Sequence, residues 1–492
     1  MKKRPLKMKT KSAIIGIALL VLLILPILGF TMFGQKDNSV ADAVDSIDTT
    51  TPTPTTTPTP EYEQGSVPIF TGEVDARVIS DVHQLAPELR ADNDVFEVFL
   101  NSGDSKLLNF STEILEAFAR TLDSDILIVS GDLTTNAERT THLWLARYFE
   151  AIEAKGTQVF VIPGNHDIDN PYATGFETGK QKRVETITAD DFAEIYGAFG
   201  YEQAFRRDPA SLSYVVRLTD DTYLLMLDTN KYEQNQMVGY PVMEGAIRKE
   251  TIDWLKEIKV DIHEQTAQET AQETAQETAI SVEPKIISVS HHNIISHSPV
   301  HSKGFVVDNA EDSAEILEEM GITLNFSGHI HIQDIEYDPK SNLTEIVSGS
   351  LIQYPQTYGV LKLGEDGISY TTEWVDVEGY AVNNGLTDPF LLDFKREAEA
   401  HFRAESQKLL GERLIELEYG ANEIEAMTEI FVKLNSRYFA GTDSLDKETI
   451  IESEGYRLWD DADVPFLSDY VKSMLLDTSD DNALQIKYGE NR

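Results

Sequence analysis

The sequence predicts an α/β protein of two stacked sheets flanked by helices, followed by a helical C-terminal segment. From about residue 67, short apolar runs alternate with amphipathic stretches, which is typical of strands covered by helices on both faces. Beyond about residue 385, apolar residues recur at helical spacing. The chain of 492 residues is long enough for more than one domain.

The predicted elements follow one another regularly. Strands are predicted at 76–80, 125–130 and 157–162, separated by helices at 111–122 and 138–154. A hairpin at 213–228, buried strands at 284–290 and 321–327, and shorter strands up to about residue 376 come next. The segment 84–110 exceeds usual loop lengths and is interpreted as a lid or as a surface excursion. We assign the α/β domain to 67–384 and an acidic helical domain to 385–492.

The N-terminus has the features of an exported chain. Residues 1–11 are basic, and residues 12–33 are almost entirely apolar. About 22 residues at 1.5 Å each span about 33 Å, enough for a bilayer core, and the preceding basic residues favour a cytoplasmic N-terminus. We therefore expect a single-pass membrane protein with its remaining domains outside the cell. The alternative is a secreted protein whose signal peptide is cleaved near Ala41-Asp42-Ala43.

Two segments have a biased composition. Residues 34–66 contain the run TTTPTPTTTPTPE, which predicts either a stiff, extended spacer or a plain disordered linker. Residues 264–279 repeat a four-residue unit, EQTAQETAQETAQETA, without an apolar face. We interpret them as a solvated helical or disordered insertion without a catalytic role.

The composition excludes several functional classes. The chain has 84 Asp and Glu against 41 Lys and Arg, a formal charge of −43, so broad nucleic-acid binding is not expected. A phosphate-bearing substrate would need local positive charge, which bound metal cations provide. The absence of cysteine excludes disulfides, thiolate zinc sites and cysteine nucleophiles.

Five short motifs occur at or just beyond the C-terminal ends of predicted strands. They are Asp81-Val82-His83, Gly131-Asp132, Gly164-Asn165-His166-Asp167, His291-His292 and Gly328-His329-Ile330-His331. Each motif is weak alone, because Gly-Asp is ordinary turn chemistry and paired histidines are often structural. Together they indicate a site, since open α/β sheets place their sites beyond the carboxyl ends of strands.

The order and spacing of these motifs resemble the calcineurin-like metallophosphoesterases, whose pattern is D-x-H, G-D, G-N-H-D/E, H and G-H-x-H. The resemblance covers about residues 74–376 and implies an αββα sandwich with two metal ions. It implies one metal bound by Asp81, His83 and His331, a second bound by Asn165, His291 and His329, and a bridge formed by Asp132. Within this family the chain looks most like exported bacterial members with a helical C-terminal extension and cyclic-nucleotide phosphodiesterase activity. The sequences SGDSK at 102–106 and GNHDIDNP at 164–171 contribute to that impression.

The ligand types agree with this chemistry. Imidazole nitrogen, carboxylate oxygen and one amide suit Mn, Fe or Zn, and two such ions can hold a bridging hydroxide for in-line attack on a phosphoester. His166 cannot easily share a metal with its neighbour Asn165, because adjacent residues on an extended segment point apart. His166 is therefore the candidate general acid or electrostatic stabiliser of the leaving oxygen.

Several assignments stay open at this point. In the family an Asp often supports the histidine of G-N-H, but Thr135 occupies that position here, and Asp167 is a candidate substitute. Asn293 replaces a common proline, which we expect to alter only loop stiffness. The choice of His291 over His292 rests on register alone. His297 and His301 are interpreted as exposed loop residues or, less often, as substrate contacts.

Three functions are compatible with the sequence. The first is a phosphodiesterase of the outer cell surface acting on cyclic nucleotides or other small diesters. The second is a phosphomonoesterase or nucleotidase on the same centre. The third, disfavoured because all seven ligand positions keep competent residue types, is a non-catalytic surface binding protein.

Overall fold

The computed structural model describes residues 70–101, 105–177, 179–274, 283–462, 464, 466–477 and 479–488. The strands are β1 (Val74–Ile79), β2 (Ile126–Val129), β3 (Gln158–Val161), β4 (Thr174–Gly175), β5 (Lys182–Arg183), β6 (Arg206–Arg207), β7 (Tyr214–Arg217), β8 (Thr222–Leu227), β9 (Lys285–Ser290), β10 (Leu324–Ser327), β11 (Asp334–Asp338), β12 (Leu343–Val347), β13 (Thr357–Leu363), β14 (Gly367–Trp374) and β15 (Ala483–Lys487). The longer helices are α1 (Asp94–Leu100), α2 (Ser111–Ala119), α3 (Arg139–Glu153), α4 (Ala189–Ile195), α5 (Lys249–Thr274), α6 (Ala310–Glu319), α7 (Val377–Asn384), α8 (Phe394–Glu416), α9 (Ala421–Phe439), α10 (Glu454–Asp461) and α11 (Leu467–Ser473).

The first sheet has the strand order β15-β14-β13-β1-β2-β3. Its strands β1, β2 and β3 run parallel, whereas β13, β14 and β15 add to the β1 edge in antiparallel pairs. The β-branched run of β2 is buried along its whole length, as expected for a strand covered on both faces.

The second sheet has the order β11-β12-β10-β9-β8-β7-β6. Strands β8, β9, β10 and β12 are parallel. Strand β11 pairs antiparallel with β12 at one side, and β7 and β6 add in antiparallel pairs at the other. The predicted hairpin is therefore present as β7 and β8, which pair along their length.

The two sheets share one apolar core, as side chains of β8 show. Leu224 and Met226 point into the cluster that also contains residues of β1, β2 and β3. The alternate residues Leu225 and Leu227 join a separate cluster with side chains of α5 and α6. Because successive side chains of a strand face opposite ways, this sheet lies between the core and an outer helical layer.

The predicted α/β fold with a helical C-terminal region is confirmed. Helices α8 to α11 supply most of a second apolar core, which includes Leu414, Met427 and Trp459. The same core contains Ile330 and Ile332 from the loop after β10, so this region packs directly against a loop that carries predicted metal ligands. The last strand, β15, was not predicted and pairs with β14.

The biased segments are only partly described. Helix α5 continues through the start of the four-residue repeat, where Thr266 is buried and donates a hydrogen bond of 2.9 Å to the carbonyl of Ile262. The predicted membrane segment at 12–33 and the linker at 34–66 lie outside the described residues. Among the helices that are described, none is both long and apolar enough to cross a bilayer.

Candidate metal centre

All seven predicted ligands lie together at the carboxyl ends of parallel strands. Three strands of the first sheet and two of the second contribute them: Asp81 and His83 after β1, Asp132 after β2, Asn165 after β3, His291 after β9, and His329 and His331 after β10. Each side chain is 2% exposed or less. The short loops after these strands therefore bring residues 250 positions apart into one buried cluster.

Two groups of ligand atoms are compact enough to hold one ion each. The first comprises Asp81, His83, Asp132 and His331, and the second Asp132, His291 and His329, with the atoms of each group within 4.8 Å of one another. Asp132 belongs to both groups. Its Oδ2 lies 3.5 Å from Nε2 of His83, while its Oδ1 lies 3.4 Å from Nε2 of His291. A carboxylate with one oxygen toward each group is suited to bridging two cations.

The separations between neighbouring donor atoms match those of ligands sharing an ion. Two ligands about 2.1 Å from one metal are about 3.0 Å apart at a right angle and about 3.4 Å apart at the tetrahedral angle. Nε2 of His331 lies 3.0 Å from Oδ1 of Asp81 and 3.3 Å from Nε2 of His83. Nε2 of His291 lies 3.1 Å from Oδ1 of Asn165. Oδ1 of Asp81 is also buried without a hydrogen-bond donor among the described residues, so the donor set fits two metal ions.

Outer contacts fix the tautomers of three of these histidines. Nδ1 of His331 lies 2.7 Å from Oε1 of Gln353, Nδ1 of His291 lies 2.9 Å from the Ser130 carbonyl, and Nε2 of His329 lies 2.7 Å from the Gly304 carbonyl. Each of these oxygens accepts a hydrogen bond from the imidazole N–H, which leaves the other nitrogen of a neutral ring with its lone pair free. Such outer partners orient metal-binding histidines and raise their basicity.

Five of the seven predicted ligands have a left-handed backbone. The φ angles are 51° for Asp81, 42° for His83, 49° for Asp132, 71° for His329 and 63° for His331. This region is uncommon for residues other than glycine, although Asp and His tolerate it better than most. Strained residues of this kind persist where the surrounding structure holds them, and they concentrate at functional sites.

All three motif glycines, Gly131, Gly164 and Gly328, approach the cluster too closely for a side chain. A Cβ on Gly164 would lie 2.2 Å from both the backbone nitrogen and Oδ1 of Asp132. A Cβ on Gly131, whose φ is +96°, would lie 2.5 Å from Nδ1 of His291. Any larger side chain at either position would displace a predicted ligand.

The geometry separates His291 from His292. His291 faces Asp132 and Asn165, as described above. His292 instead uses both ring nitrogens within the protein, with Nδ1 2.7 Å from Oγ1 of Thr229 and Nε2 2.9 Å from the carbonyl of Met243. His292 thus has no nitrogen left for a metal, which favours the register that assigns His291.

His166 is supported in a way that the sequence does not predict. Its Nδ1 lies 2.6 Å from the backbone carbonyl of Thr135, whereas the Thr135 hydroxyl donates to the carbonyls of His83 and Gln84. The carboxylate of Asp167 accepts hydrogen bonds from loop atoms, including the Gly164 and Leu133 amides, so it does not replace the missing Asp. The ring of His166 lies edge-on to that of His83, with centroids 4.8 Å apart, which places it beside the first ligand group.

Burial and neighbouring charges set the protonation of the cluster. Burial opposes ionisation of Asp132, but the adjacent His291 and His166 outweigh it and hold the pKa of Asp132 well below its usual range. Burial lowers the pKa of His291, but Asp132 and Asp81 outweigh it and raise the pKa to about 9. Burial also lowers the pKa of His83 well below its usual value. The bridging carboxylate is thus ionised at neutral pH, as a metal ligand must be.

Sequence reasoning missed Lys106 and Gln353. Lys106 is 7% exposed, and its charge adds to burial in lowering the pKa of His83 and His166. It lies near the end of the predicted lid segment 84–110, which is joined to the loop after β12 by a 3.0 Å hydrogen bond from the Leu107 amide to the Ile352 carbonyl. A lysine inside a long insertion next to the first motif was the available signal for Lys106. Gln353 carries no such signal, because glutamine is not a typical metal-site residue.

Other predicted loop residues have structural roles. His297 is not exposed, because its Nδ1 lies 2.5 Å from Oδ2 of Asp334 and its Nε2 lies 3.4 Å from Oε2 of Glu345. His301 is also buried and packs against Phe305, with ring centroids 5.7 Å apart. The expectation that these histidines are exposed is therefore wrong. The side-chain amide of Asn293 donates to the Ser327 hydroxyl at 2.9 Å, so it joins two site loops and does more than alter stiffness.

Two family models match the chain. A model described as calcineurin-like phosphoesterase matches residues 77–333. A model described as the C-terminal domain of cyclic nucleotide phosphodiesterase matches residues 376–481. No curated protein matches the chain.

Several solved structures are similar to the chain. A dimetal phosphatase from Danio rerio shows 11% identity over 61% of this chain and 96% of its own, with a TM-score of 0.39. A purple acid phosphatase from yellow lupin (Lupinus luteus) seeds shows 11% identity over 62% of this chain and 52% of its own, with a TM-score of 0.37. A phosphopantetheinyl hydrolase from Mycobacterium tuberculosis shows 14% identity over 57% of this chain and 91% of its own, with a TM-score of 0.28.

Proposed function

The chain belongs to the calcineurin-like phosphoesterase family and is a metal-dependent phosphoesterase, and we propose that it hydrolyses cyclic nucleotides or other small phosphodiesters. The observation that carries the diester assignment is the match of residues 376–481 to the C-terminal domain of cyclic nucleotide phosphodiesterase. That region packs against the loop bearing His329 and His331 through Ile330 and Ile332. In this proposal, that region shapes the substrate side of the centre.

We assign the ligands of the two ions as the sequence predicts. Asp81, His83 and His331 hold one ion, Asn165, His291 and His329 hold the other, and Asp132 holds both. When bound, such ions supply a hydroxide nucleophile at neutral pH and neutralise the charge of the phosphate. The donor set suits Mn, Fe or Zn.

Charge supports a diester over a monoester. A phosphodiester carries one negative charge at neutral pH, whereas a monoester carries nearly two. The chain has a formal charge of −43, which repels the more highly charged substrate more strongly. Lys106, a buried cation beside His83 and His166, offers one positive charge to match a diester.

His166 acts on the leaving oxygen in this proposal. Its Nδ1 is held by the Thr135 carbonyl, so Nε2 is the nitrogen that exchanges a proton with substrate. Burial lowers the pKa of His166, so the free ring is neutral. We infer that the bound phosphate anion favours its protonation and that the imidazolium then stabilises or protonates the departing alkoxide.

The test compares two substrates on the purified protein supplied with Mn²⁺. We expect bis-nitrophenyl phosphate to be hydrolysed with a higher kcat/KM than nitrophenyl phosphate, followed by turnover of cyclic nucleotides in a substrate panel. Asp132→Asn is expected to abolish both activities, because it weakens the shared ligand. A strong preference for the monoester would replace the proposal with the nucleotidase alternative.

We further propose that the catalytic region lies on the outer cell surface, anchored by residues 12–33 and separated from the membrane by residues 34–66. The basic flank and apolar length of the N-terminal segment support this arrangement. Protease treatment of intact cells is expected to release the activity by cleavage within the linker. An N-terminus beginning after Ala43 would instead identify a cleaved signal peptide and a secreted protein.

A further inference from the structure

A second cluster of carboxylates lies outside the metal centre, between the second sheet and the C-terminal region. Asp334 begins β11, and Asp477 and Asp481 lie in the loop that precedes β15. One carboxylate oxygen from each of the three lies within 4.8 Å of the others. The cluster joins parts of the chain more than 140 positions apart.

Asp481 points into this cluster without a hydrogen-bond donor. Its side chain is fully buried, and neither of its carboxylate oxygens accepts a hydrogen bond from the residues that the structure describes. Its backbone is fixed, since its carbonyl accepts a hydrogen bond of 2.7 Å from Nε2 of Gln333. A buried carboxylate without donors is strongly unfavourable unless a cation or a proton accompanies it.

Among the described residues, the cations beside this cluster are shared with other groups. His297 is paired with Asp334, but it is shared with the buried Glu345. A fourth acid, Asp443, is 2% exposed, and burial together with the charges of Asp477 and Asp334 raises its pKa to about 7. The ammonium of Lys447 lowers the pKa of Asp443 only as the smallest of the contributing effects, and it donates to the carbonyl of Leu475 at 3.0 Å.

Burial, the charges of Asp334 and Asp477, and a contact with the Asp477 carboxyl raise the pKa of Asp481 to about 9. Without a cation, carboxyl groups of this cluster must therefore stay protonated at neutral pH. A divalent cation would remove that requirement and would be coordinated by oxygen atoms from two regions of the fold.

We propose that Asp334, Asp477 and Asp481 bind a Ca²⁺ ion at the junction between β11 and the C-terminal loop, separate from the phosphoesterase centre. The three donors are carboxylates, and hard cations prefer oxygen ligands. Ca²⁺–oxygen distances of about 2.4 Å allow two ligands on opposite sides of the ion to be about 4.8 Å apart.

Binding here joins the C-terminal loop to the second sheet, which carries the predicted metal ligands His291, His329 and His331. Asn482 already holds the loop before β15 in place, because its side-chain amide donates to the carbonyls of Ala440 and Gly441 at 3.1 and 2.7 Å. The ion would therefore stabilise the docking of the C-terminal region rather than take part in hydrolysis.

The test uses the full-length protein with its phosphoesterase centre first saturated with Mn²⁺. We expect elemental analysis to find one Ca²⁺ per chain after equilibration with about 5 mM Ca²⁺, and the melting temperature to rise by about 5 °C. Asp481→Asn is expected to abolish both effects, while Asp480→Asn, a matched change at an exposed neighbour, retains them. Asp132→Asn is expected to keep the Ca²⁺ response, because it changes only the phosphoesterase centre.

Two results would overturn the proposal. One is a wild-type protein that takes up no Ca²⁺ and shows no melting shift. In that case Asp481→Asn should be more stable than wild type, because a neutral amide replaces a carboxyl that must hold a proton. The other is an Asp481→Asn protein that binds Ca²⁺ as wild type does. If Asp481→Asn does not fold, Asp477→Asn provides the same comparison at a partly exposed position.

Discussion

Replacing Gly164 by alanine would place a methyl group against the shared ligand of the metal centre. The new Cβ would lie 2.2 Å from the backbone nitrogen and Oδ1 of Asp132, where ordinary contact begins at 3.4 Å. Asp132 or the Gly164 loop must therefore move by about 1.2 Å, since part of the contact is with rigid backbone. Misplacement of about 1 Å at a reacting centre lowers rates by about 100-fold.

We expect Gly164→Ala to lower kcat by at least about 100-fold and to reduce the metal content at both ion positions, because Asp132 serves both. Overpacking of this kind also lowers the free energy of unfolding by about 1–3 kcal/mol. Steady-state hydrolysis of a nitrophenyl diester, elemental analysis and a melting curve measure the three effects separately. The melting curve shows that any loss of activity occurs in folded protein.

Gly411→Ala is the matched control. Gly411 lies within α8, and an added Cβ meets no atom within 4 Å. This variant should keep full activity and gain about 0.5–1 kcal/mol of stability, since alanine favours a helix. A Gly164→Ala protein with two bound metals and wild-type kcat would refute the assignment of Asp132 as the shared ligand.

Three further predictions follow from the geometry. His166→Asn should slow hydrolysis of alkyl diesters by about 10²–10⁴-fold but affect nitrophenyl esters much less, because a poor leaving group needs the proton; Thr135→Ala should change neither rate much, since the backbone carbonyl that holds His166 remains. Lys106→Met should raise KM by about 10-fold or more at unchanged metal content, because a buried cation near the phosphate is lost. Burial raises the pKa of Glu138 from 4.5 to about 7, so wild type loses stability as pH rises from about 4.5 to 7; denaturant titrations at pH 5 and 8 should show Glu138→Gln gaining about 2–3 kcal/mol relative to wild type across that interval. The His166 prediction fails if alkyl and nitrophenyl esters are slowed equally, and the Lys106 prediction fails if KM is unchanged. The Glu138 prediction fails if the stability difference between Glu138→Gln and wild type is the same at pH 5 and pH 8.

The strands were predictable where the chain buries β-branched residues on both faces. The run at 125–130 and the hairpin at 213–228 are so apolar that only buried strands explain them. Each corresponds to strands in the structure. Strand β15 was missed because its residues are at most half-buried. It adds to a sheet edge through backbone hydrogen bonds, and its apolar face consists of only two residues, Leu484 and Ile486, which is too short a pattern to predict a strand.

The candidate site was predictable as a set of residue types, but its support was not. Ligand side chains follow directly from strand ends, so their grouping depends on local sequence and on one topological rule. The contact between His166 and Thr135 uses a backbone carbonyl, which any residue type would provide. The sequence predicts an exposed His297 because the acids that contact it, Asp334 and Glu345, lie about 40 positions later in the chain.

The left-handed backbone of five predicted ligands lowers the stability of the folded enzyme while it positions the side chains that bind metal. Each such residue raises the energy of the folded state by about 1–3 kcal/mol, so exchanging a ligand such as His83 for glycine relieves strain while removing the metal site. Laboratory evolution that selects only for heat resistance should therefore accumulate inactive proteins altered at these positions. Selection for thermal tolerance must be paired with selection for turnover if the metal centre is to be retained.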